Sequence, residues 1–379
     1  MRKAKVGVIG TGQISGIYLK NMTQAFDGIL EVKAVADLVP ELARSRADQF
    51  GVPNAWSVKE LLDDPEIEIV LNLTAPSVHA AVNLQALQAG KHVYTEKPFA
   101  LTREDADEVL RLAEAKGLLV GCAPDTFLGG GLQTCRKLID DGWIGTPYSA
   151  NGTIIMGNAS NGMHPNFRNF LKLGGDPIMD MAPYYLTALV FLLGPIRRVT
   201  GSARQLQDEI TILNPKSPSF GEKVPVEAPT NVSAVLDFHS GAVGSLQAAK
   251  ESFGYLTRLE IFGTEGNLTV NDPNFFGGNI FIQFPDGRKQ EVPLTHGFAE
   301  DSRGIGVADM AYAIRTGRPH RASGQLARHV LDVSLGIFES SSQGRHIELG
   351  STVGRPEPLP LGLKYSRLDA DDAFDGDPQ

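Results

Sequence analysis

Three observations predict the fold class: strands alternate with helices over the first third of the chain, a glycine-rich turn directly follows the first strand, and hairpin-linked strands fill the second half. The class is α/β, with an N-terminal doubly wound nucleotide-binding domain and a C-terminal α+β domain carrying an open, largely antiparallel sheet. We place the first domain at 1–124, the second at 125–349, and an extended or disordered acidic tail at 350–379.

Composition narrows the function classes. With 379 residues, 42% hydrophobic and 21% charged, the chain can bury two cores and is neither fibrous nor a membrane span. Its 35 Lys and Arg face 44 Asp and Glu, and no local basic stripe offsets the net charge of −9, so nucleic acid is not an expected partner. Cys122 and Cys135 cannot make a disulfide framework and lack the spaced Cys or His of a zinc site. They read as small buried hydrophobes, and no metal is expected. The start "MRKAKVGVIGTG" passes from basic residues straight into a strand with no apolar signal region, so a cytoplasmic location and no membrane partner are expected.

In "KVGVIGTGQIS" an apolar strand, Val6 to Ile9, breaks into the turn and then into a helix from about Ile14. Gly10 allows the sharp turn, and Gly12 lets backbone approach a pyrophosphate seated at the helix N-terminus beside Gln13 and Ile14. Ser15 stands at the third position of the G-x-G-x-x-G pattern. The next strand, "LEVKAVAD", ends in Asp37, where a carboxylate accepts hydrogen bonds from the adenosine ribose and repels a 2′-phosphate. That favours NAD(H) over NADP(H) and makes the first domain a Rossmann fold. Alternation continues through "IEIVLNL", "HVYTE" and "LLVGCA", so a parallel sheet is covered on both faces and ligands bind beyond its carboxyl edge. Three loops leave that edge: Gly10 to Ile14, "TAPSVH" with Thr74, Pro76 and His79, and "EKP" with Glu96 and Lys97.

At "TEKPFALT", "TAPSVH" and the glycine turn together, the sequence resembles the glucose-fructose oxidoreductase and inositol dehydrogenase (Gfo/Idh/MocA) family of nicotinamide-dependent enzymes, over roughly Lys5 to the "GRHIEL" region. The resemblance implies that Lys97 lies beside the nicotinamide and the reacting oxygen, with Glu96 and Pro98 holding it. Pro98 restricts Lys97 to non-helical geometry, and an ammonium near a developing alkoxide stabilises the charge that forms as hydride moves.

After "CAPDTF" the pattern changes to turn-linked strands, from "TPYSANGTIIMG" through "NVSAVLDF", "GAVGSLQAAK", "LTRLEIFG", "NLTVN" and "NIFIQF", with two late amphipathic helices. Strands mixing polar and apolar residues on one face need cover, which predicts pairing into a homodimer or homotetramer. In "GGDPIMDMAPYYLTALVFLLGP", Asp176 caps a helix that starts at Pro177 and ends at Gly194, placing Asp180 and Tyr184 four apart on one face. The family pattern implied here is D-x-G-x-H. Asp180 matches it, Ala182 replaces Gly, and Tyr184 takes the His position, so proton exchange by Tyr184 needs help from nearby positive charge such as Lys97. His164 and Arg168, in the loop before that helix, and Asp125 and Phe127, at the domain junction, are candidates for the substrate wall.

The expected activity is NAD(H)-dependent interconversion of a secondary alcohol and a ketone on a sugar, sugar derivative or cyclitol, with Lys97, Tyr184 and Asp180 as the catalytic set. Two alternatives stand beside it: NAD-assisted glycoside cleavage through transient ring oxidation, distinguished by turnover without net NADH, and a non-catalytic cofactor-binding regulator.

Overall fold

The computed structural model describes residues 2–157, 159–163, 167–172, 174–363 and 367–369. The first domain runs β1 (Ala4–Ile9), α1 (Ser15–Gln24), β2 (Leu30–Ala36), α2 (Pro40–Phe50), β3 (Asn54–Trp56), α3 (Val58–Asp63), β4 (Ile69–Asn72), α4 (His79–Gln88), β5 (His92–Thr95), α5 (Arg103–Lys116) and β6 (Val120–Cys122). Its strands form one parallel sheet in the order β3-β2-β1-β4-β5-β6. All four residues of β4 are buried, as a strand covered on both faces requires. Val6, Val8 and Leu71 belong to the core on one face, Ile9, Val70 and Val93 to the core on the other.

The second domain follows with α6 (Gly130–Asp140), β7 (Pro147–Gly157), α7 (Pro177–Asp180), α8 (Ala182–Leu193), β8 (Ile196–Arg204), β9 (Glu209–Thr211), β10 (Lys223–Pro225), β11 (Asn231–Phe238), β12 (Val243–Ser252), β13 (Leu256–Gly263), β14 (Asn267–Val270), β15 (Ile280–Gln283), β16 (Lys289–Val292), α9 (Ile305–Thr316), α10 (Gly324–Gln343) and β17 (Ile347–Glu348). Nine of these strands make a sheet ordered β16-β15-β14-β13-β7-β12-β11-β8-β17, while β9 and β10 pair separately. Every neighbouring pair in the large sheet is antiparallel except β7 and β12, which run parallel and make the sheet mixed.

Helices α8 and α10 cover the inner face of this sheet. Contact is close enough that a Cβ on Gly201 of β8 would stand 2.4 Å from the Ile337 carbonyl oxygen of α10, so only glycine fits there. The outer face is open, with Val235, Val243 and Leu256 exposed on it. The late helices also tie the domains together. Arg103 of α5 donates to Asp332 and Glu339 of α10, and Arg315 of α9 reaches Glu68 beside β4.

One expectation is corrected. The helix read as continuous from Pro177 to Gly194 is broken at Met181 (φ −111°) into α7 and α8. Pro183 has no N–H for the Met179 carbonyl and its ring crowds that carbonyl, so the spiral cannot continue through it. In its described part, 350–363 and 367–369, the tail has no helix or strand and is packed down. Arg136 donates to the Pro356 carbonyl at 2.8 Å, the Leu359 amide donates to Gln133 at 2.7 Å, and Leu359 and Leu368 are buried.

Candidate active site

The glycine turn leaves β1 at the carboxyl edge of the parallel sheet. Gly10 has φ +97°, and a Cβ there would lie 2.7 Å from the Leu73 backbone, so any side chain is excluded. Nothing lies within 4 Å of where a Cβ on Gly12 would stand, which leaves open space over the turn. Ser15 closes it by donating from its hydroxyl to the Gly12 carbonyl at 2.6 Å. Gly12, Gln13 and Ile14 are exposed at the N-terminus of α1, where a helix dipole favours an anion. Asp37, just past β2, accepts from the Thr11 amide at 2.7 Å and hydroxyl at 2.8 Å, and from the Val39 amide at 3.0 Å. Burial alone would raise its pKa, but these donors hold the carboxyl below its ordinary value. Open space over Gly12 and an ionised carboxylate at the end of β2 fit a dinucleotide.

The second loop sits beside the turn. Thr74 is fixed by its amide and hydroxyl donating to Asn72 Oδ1, and Pro76 is exposed at the rim. His79, a candidate cofactor contact, is buried between the second loop and the third. Its buried ring lies between the Pro98 carbonyl, 2.7 Å from Nδ1, and the Thr74 carbonyl, 3.0 Å from Nε2, and as a neutral imidazole it donates to one of the two, linking this loop with the third. Burial keeps its pKa below the ordinary value.

The third loop carries Lys97, whose bond to Pro98 is cis. Glu96 is buried beneath it, accepting from the Tyr18 hydroxyl at 2.8 Å and the Lys97 amide at 2.9 Å. The Lys97 ammonium donates to both the Oδ1 and the main-chain oxygen of Asp180, each at 2.8 Å. That carbonyl is free because of the helix break: the Tyr184 amide, which would bond Asp180 in a continuous helix, turns to Met181 instead. Burial alone would lower the Lys97 pKa, but Asp180, and after it Tyr184 and Glu96, raise it above the ordinary lysine value. The cation stands 5.5 Å from the Tyr184 ring centroid.

Two residues absent from the sequence reading complete the cluster. Lys250 of β12, buried, donates to Asp180 Oδ2 at 2.8 Å and to the Gly175 carbonyl at 2.5 Å. Burial works to raise the Asp180 pKa, yet Lys97 and Lys250 hold it well below the usual carboxylate range. Arg303, in the loop before α9, brings its charge to bear on the Tyr184 side chain. Burial raises the Tyr184 pKa, with Lys97 and Arg303 pulling it back and Glu96 opposing them. Asn21 of α1 steadies the Arg303 loop by donating to the Asp301 and Arg303 carbonyls at 2.8 and 2.9 Å.

The structure reassigns other candidates. Asp125 does not line the cleft. It is 1% exposed, and its Oδ2 caps α9 by accepting from the Gly304 and Gly306 amides, both at 3.0 Å. Burial pushes its pKa up to about 6. Phe127 packs in the core against Phe191 with ring centroids 5.2 Å apart. Arg168 turns away to Glu222 and Ser219, because a half-exposed guanidinium finds a carboxylate there. His164 lies outside the described residues. A cleft of about 450 Å³ opens beside Lys250, lined by Met156, Phe167, Phe170, Phe253 and Tyr255 among others.

Comparison with known proteins identifies both domains. Residues 4–123 match the profile "Oxidoreductase family, NAD-binding Rossmann fold", and residues 132–269 match the "GFO/IDH/MocA C-terminal domain". The chain belongs to the Gfo/Idh/MocA oxidoreductase family. It is 30% identical over 252 residues to the levoglucosan dehydrogenase of Pseudarthrobacter phenanthrenivorans, a match spanning 63% of this chain and 64% of that protein. It is 22% identical over 356 residues to the myo-inositol 2-dehydrogenase of Thermotoga maritima, spanning 92% of this chain and 100% of that one. A solved structure of levoglucosan dehydrogenase in complex with NADH superposes with a TM-score of 0.80 at 23% identity, covering 92% of this chain and 100% of that one. An NAD-binding oxidoreductase from Klebsiella pneumoniae also has a TM-score of 0.80, at 24% identity, covering 92% of this chain and 99% of that one. This Gfo/Idh/MocA chain therefore pairs an NAD-binding Rossmann domain with the family's C-terminal sheet domain.

Proposed function

We propose that this oxidoreductase interconverts a secondary alcohol and a ketone on a sugar, sugar derivative or cyclitol, using NAD(H). The observation that carries the reading is the Lys97 ammonium, held by Asp180 at the carboxyl edge of the Rossmann sheet and placed over Tyr184. NAD supplies the hydride acceptor for alcohol oxidation. Lys97 has three N–H bonds, two of which go to Asp180, leaving the third for the reacting oxygen. Tyr184, as the tyrosinate that the Lys97 and Arg303 charges favour against the pull of burial, takes the hydroxyl proton and becomes the neutral phenol as hydride leaves for NAD. Gly12, Gln13 and Ile14 hold the pyrophosphate, and Asp37 holds the ribose hydroxyls. Relatives that act on levoglucosan and on myo-inositol support a polyol substrate.

The test is a panel of cyclitols, aldoses, anhydrosugars and keto-sugars followed by NADH absorbance. We expect turnover on at least one, with NAD(H) preferred over NADP(H) and the preference narrowed in Asp37→Ala. Silence across the panel, or a preference for NADP(H), removes the corresponding assignment. We also propose that a second copy covers the open face of the large sheet, giving a homodimer or homotetramer. Light scattering at micromolar concentration should report that mass, and monomer alone would remove this proposal.

A further inference from the structure

Lys250 is 3% exposed, on the inward-facing side of β12 that it shares with Leu246 and Ala248. Burying an ammonium is costly even when it is paired, and Asp180 already has Lys97 as a partner. If neutralising Asp180 were all that was needed, an apolar residue would fill the Lys250 position at lower cost. Instead the carboxylate is divided, with Oδ1 on Lys97 and Oδ2 on Lys250, each at 2.8 Å. The Lys250 ammonium also bonds the Gly175 carbonyl, next to the Asp176 cap of α7, and lies 4.5 Å from the Phe170 ring centroid, so it cannot swing away.

We propose that Lys250 is a positioning residue of the catalytic centre: by taking one oxygen of Asp180, it keeps the Lys97 ammonium from being quenched by a whole carboxylate. Lys97 then retains both a free N–H and an uncompensated field for the reacting oxygen. The inference rests on the reading of Lys97 and Tyr184 as the proton-exchanging pair. The charged groups around the pair are these. Glu96 lies beneath Lys97, and Arg303 beside Tyr184 is paired in turn with Asp301. Around Lys250 stand Asp180, Lys97 and Asp176, the last occupied by the Ile178 and Met179 amides. In Lys250→Met the whole Asp180 charge falls on Lys97, and the positive field at the Tyr184 hydroxyl weakens.

The experiment compares wild type with Lys250→Met, Lys250→Gln and Lys250→Arg. Tyrosine is labelled with ¹³C at Cζ, and Tyr184 is assigned by the signal lost in Tyr184→Phe. The expected result is an alkaline shift of the Tyr184 titration by roughly one pH unit in Met and Gln, as loss of a nearby cation produces, with Arg restoring most of it. Turnover on the polyol found in the panel should fall about 10-fold in kcat with little change in KM, again restored by Arg. A Tyr184 titration unmoved in the neutral variants overturns the proposal, whatever happens to their melting temperature. Gln retains a donor and decides the matter if the Met variant does not fold. If no polyol is turned over, the functional reading fails on its own, while the titration, which needs no substrate, still decides the role of Lys250.

Discussion

Lys97→Met should lower hydride transfer by about 10²-fold or more while leaving NADH affinity almost unchanged, because charge stabilisation at a reacting oxygen acts on the chemical step. Methionine keeps most of the side-chain volume, and Asp180 keeps Lys250 at 2.8 Å, so the variant does not strand a buried carboxylate. What it loses is the cation over Tyr184 and the donor to the Asp180 carbonyl. Tyr184→Phe should produce a comparable loss, and in the Lys97→Met background its further effect should shrink, since groups that move one proton together are not additive. Single-turnover measurement of NADH formation separates this from slower release. Near-normal turnover by Lys97→Met would make "TEKP" a structural turn and leave Tyr184 and Arg303 as the pair to test.

The parts of this site that could be read from the sequence are those whose chemistry is local. The turn at Gly10 and Gly12, the carboxylate closing β2 and the Lys97-Pro98 step each sit where a strand ends, and a strand end in a parallel sheet is the ligand edge. Asp180 was readable because it matches the D-x-G-x-H pattern that the family resemblance implies, on a helix whose start a cap and a proline mark. The break after it was also on the page, in Pro183, but a strongly apolar run from Leu186 to Leu193 hides one missing hydrogen bond. Lys250 was harder, being 70 residues from Asp180 in sequence. The signal that could have found it is parity: in "GSLQAAKE" the inward positions read Gly244, Leu246, Ala248 and then Lys250, a cation on the buried side of a strand. Arg303 gave no such signal, since it lies in an irregular loop positioned by Asn21 from the other domain. Strand partners were equally invisible. A sequence marks where strands lie but not which ones meet, and the parallel pairing of β7 with β12 joins segments nearly 100 residues apart.

Asp309→Ala should destabilise the fold by about 3–5 kcal/mol, the range for removing one partner of a buried ion pair, and should lower the melting midpoint by roughly 5 °C. Asp309 is 0% exposed on α9, and its carboxylate accepts from Arg321 Nη1 at 2.5 Å, the Arg321 amide at 2.6 Å and Arg318 Nη2 at 2.7 Å. Without it the buried Arg321 guanidinium keeps, among the described residues, the neutral carbonyls of Glu357 and Pro358, so the tail loosens along with α9. Burial would raise the Asp309 pKa, but Arg321 and Arg318 hold it below the ordinary value. A carboxyl lowered in the folded state contributes its stability above the unfolded pKa of about 4 and loses it as pH falls further, so the gap between wild type and variant should be widest near neutrality and close in acid. Thermal unfolding followed from pH 7 down to pH 3 tests both parts. A variant that melts with wild type at pH 7 would show that the two arginines find other partners, and that Asp309 does not anchor the tail.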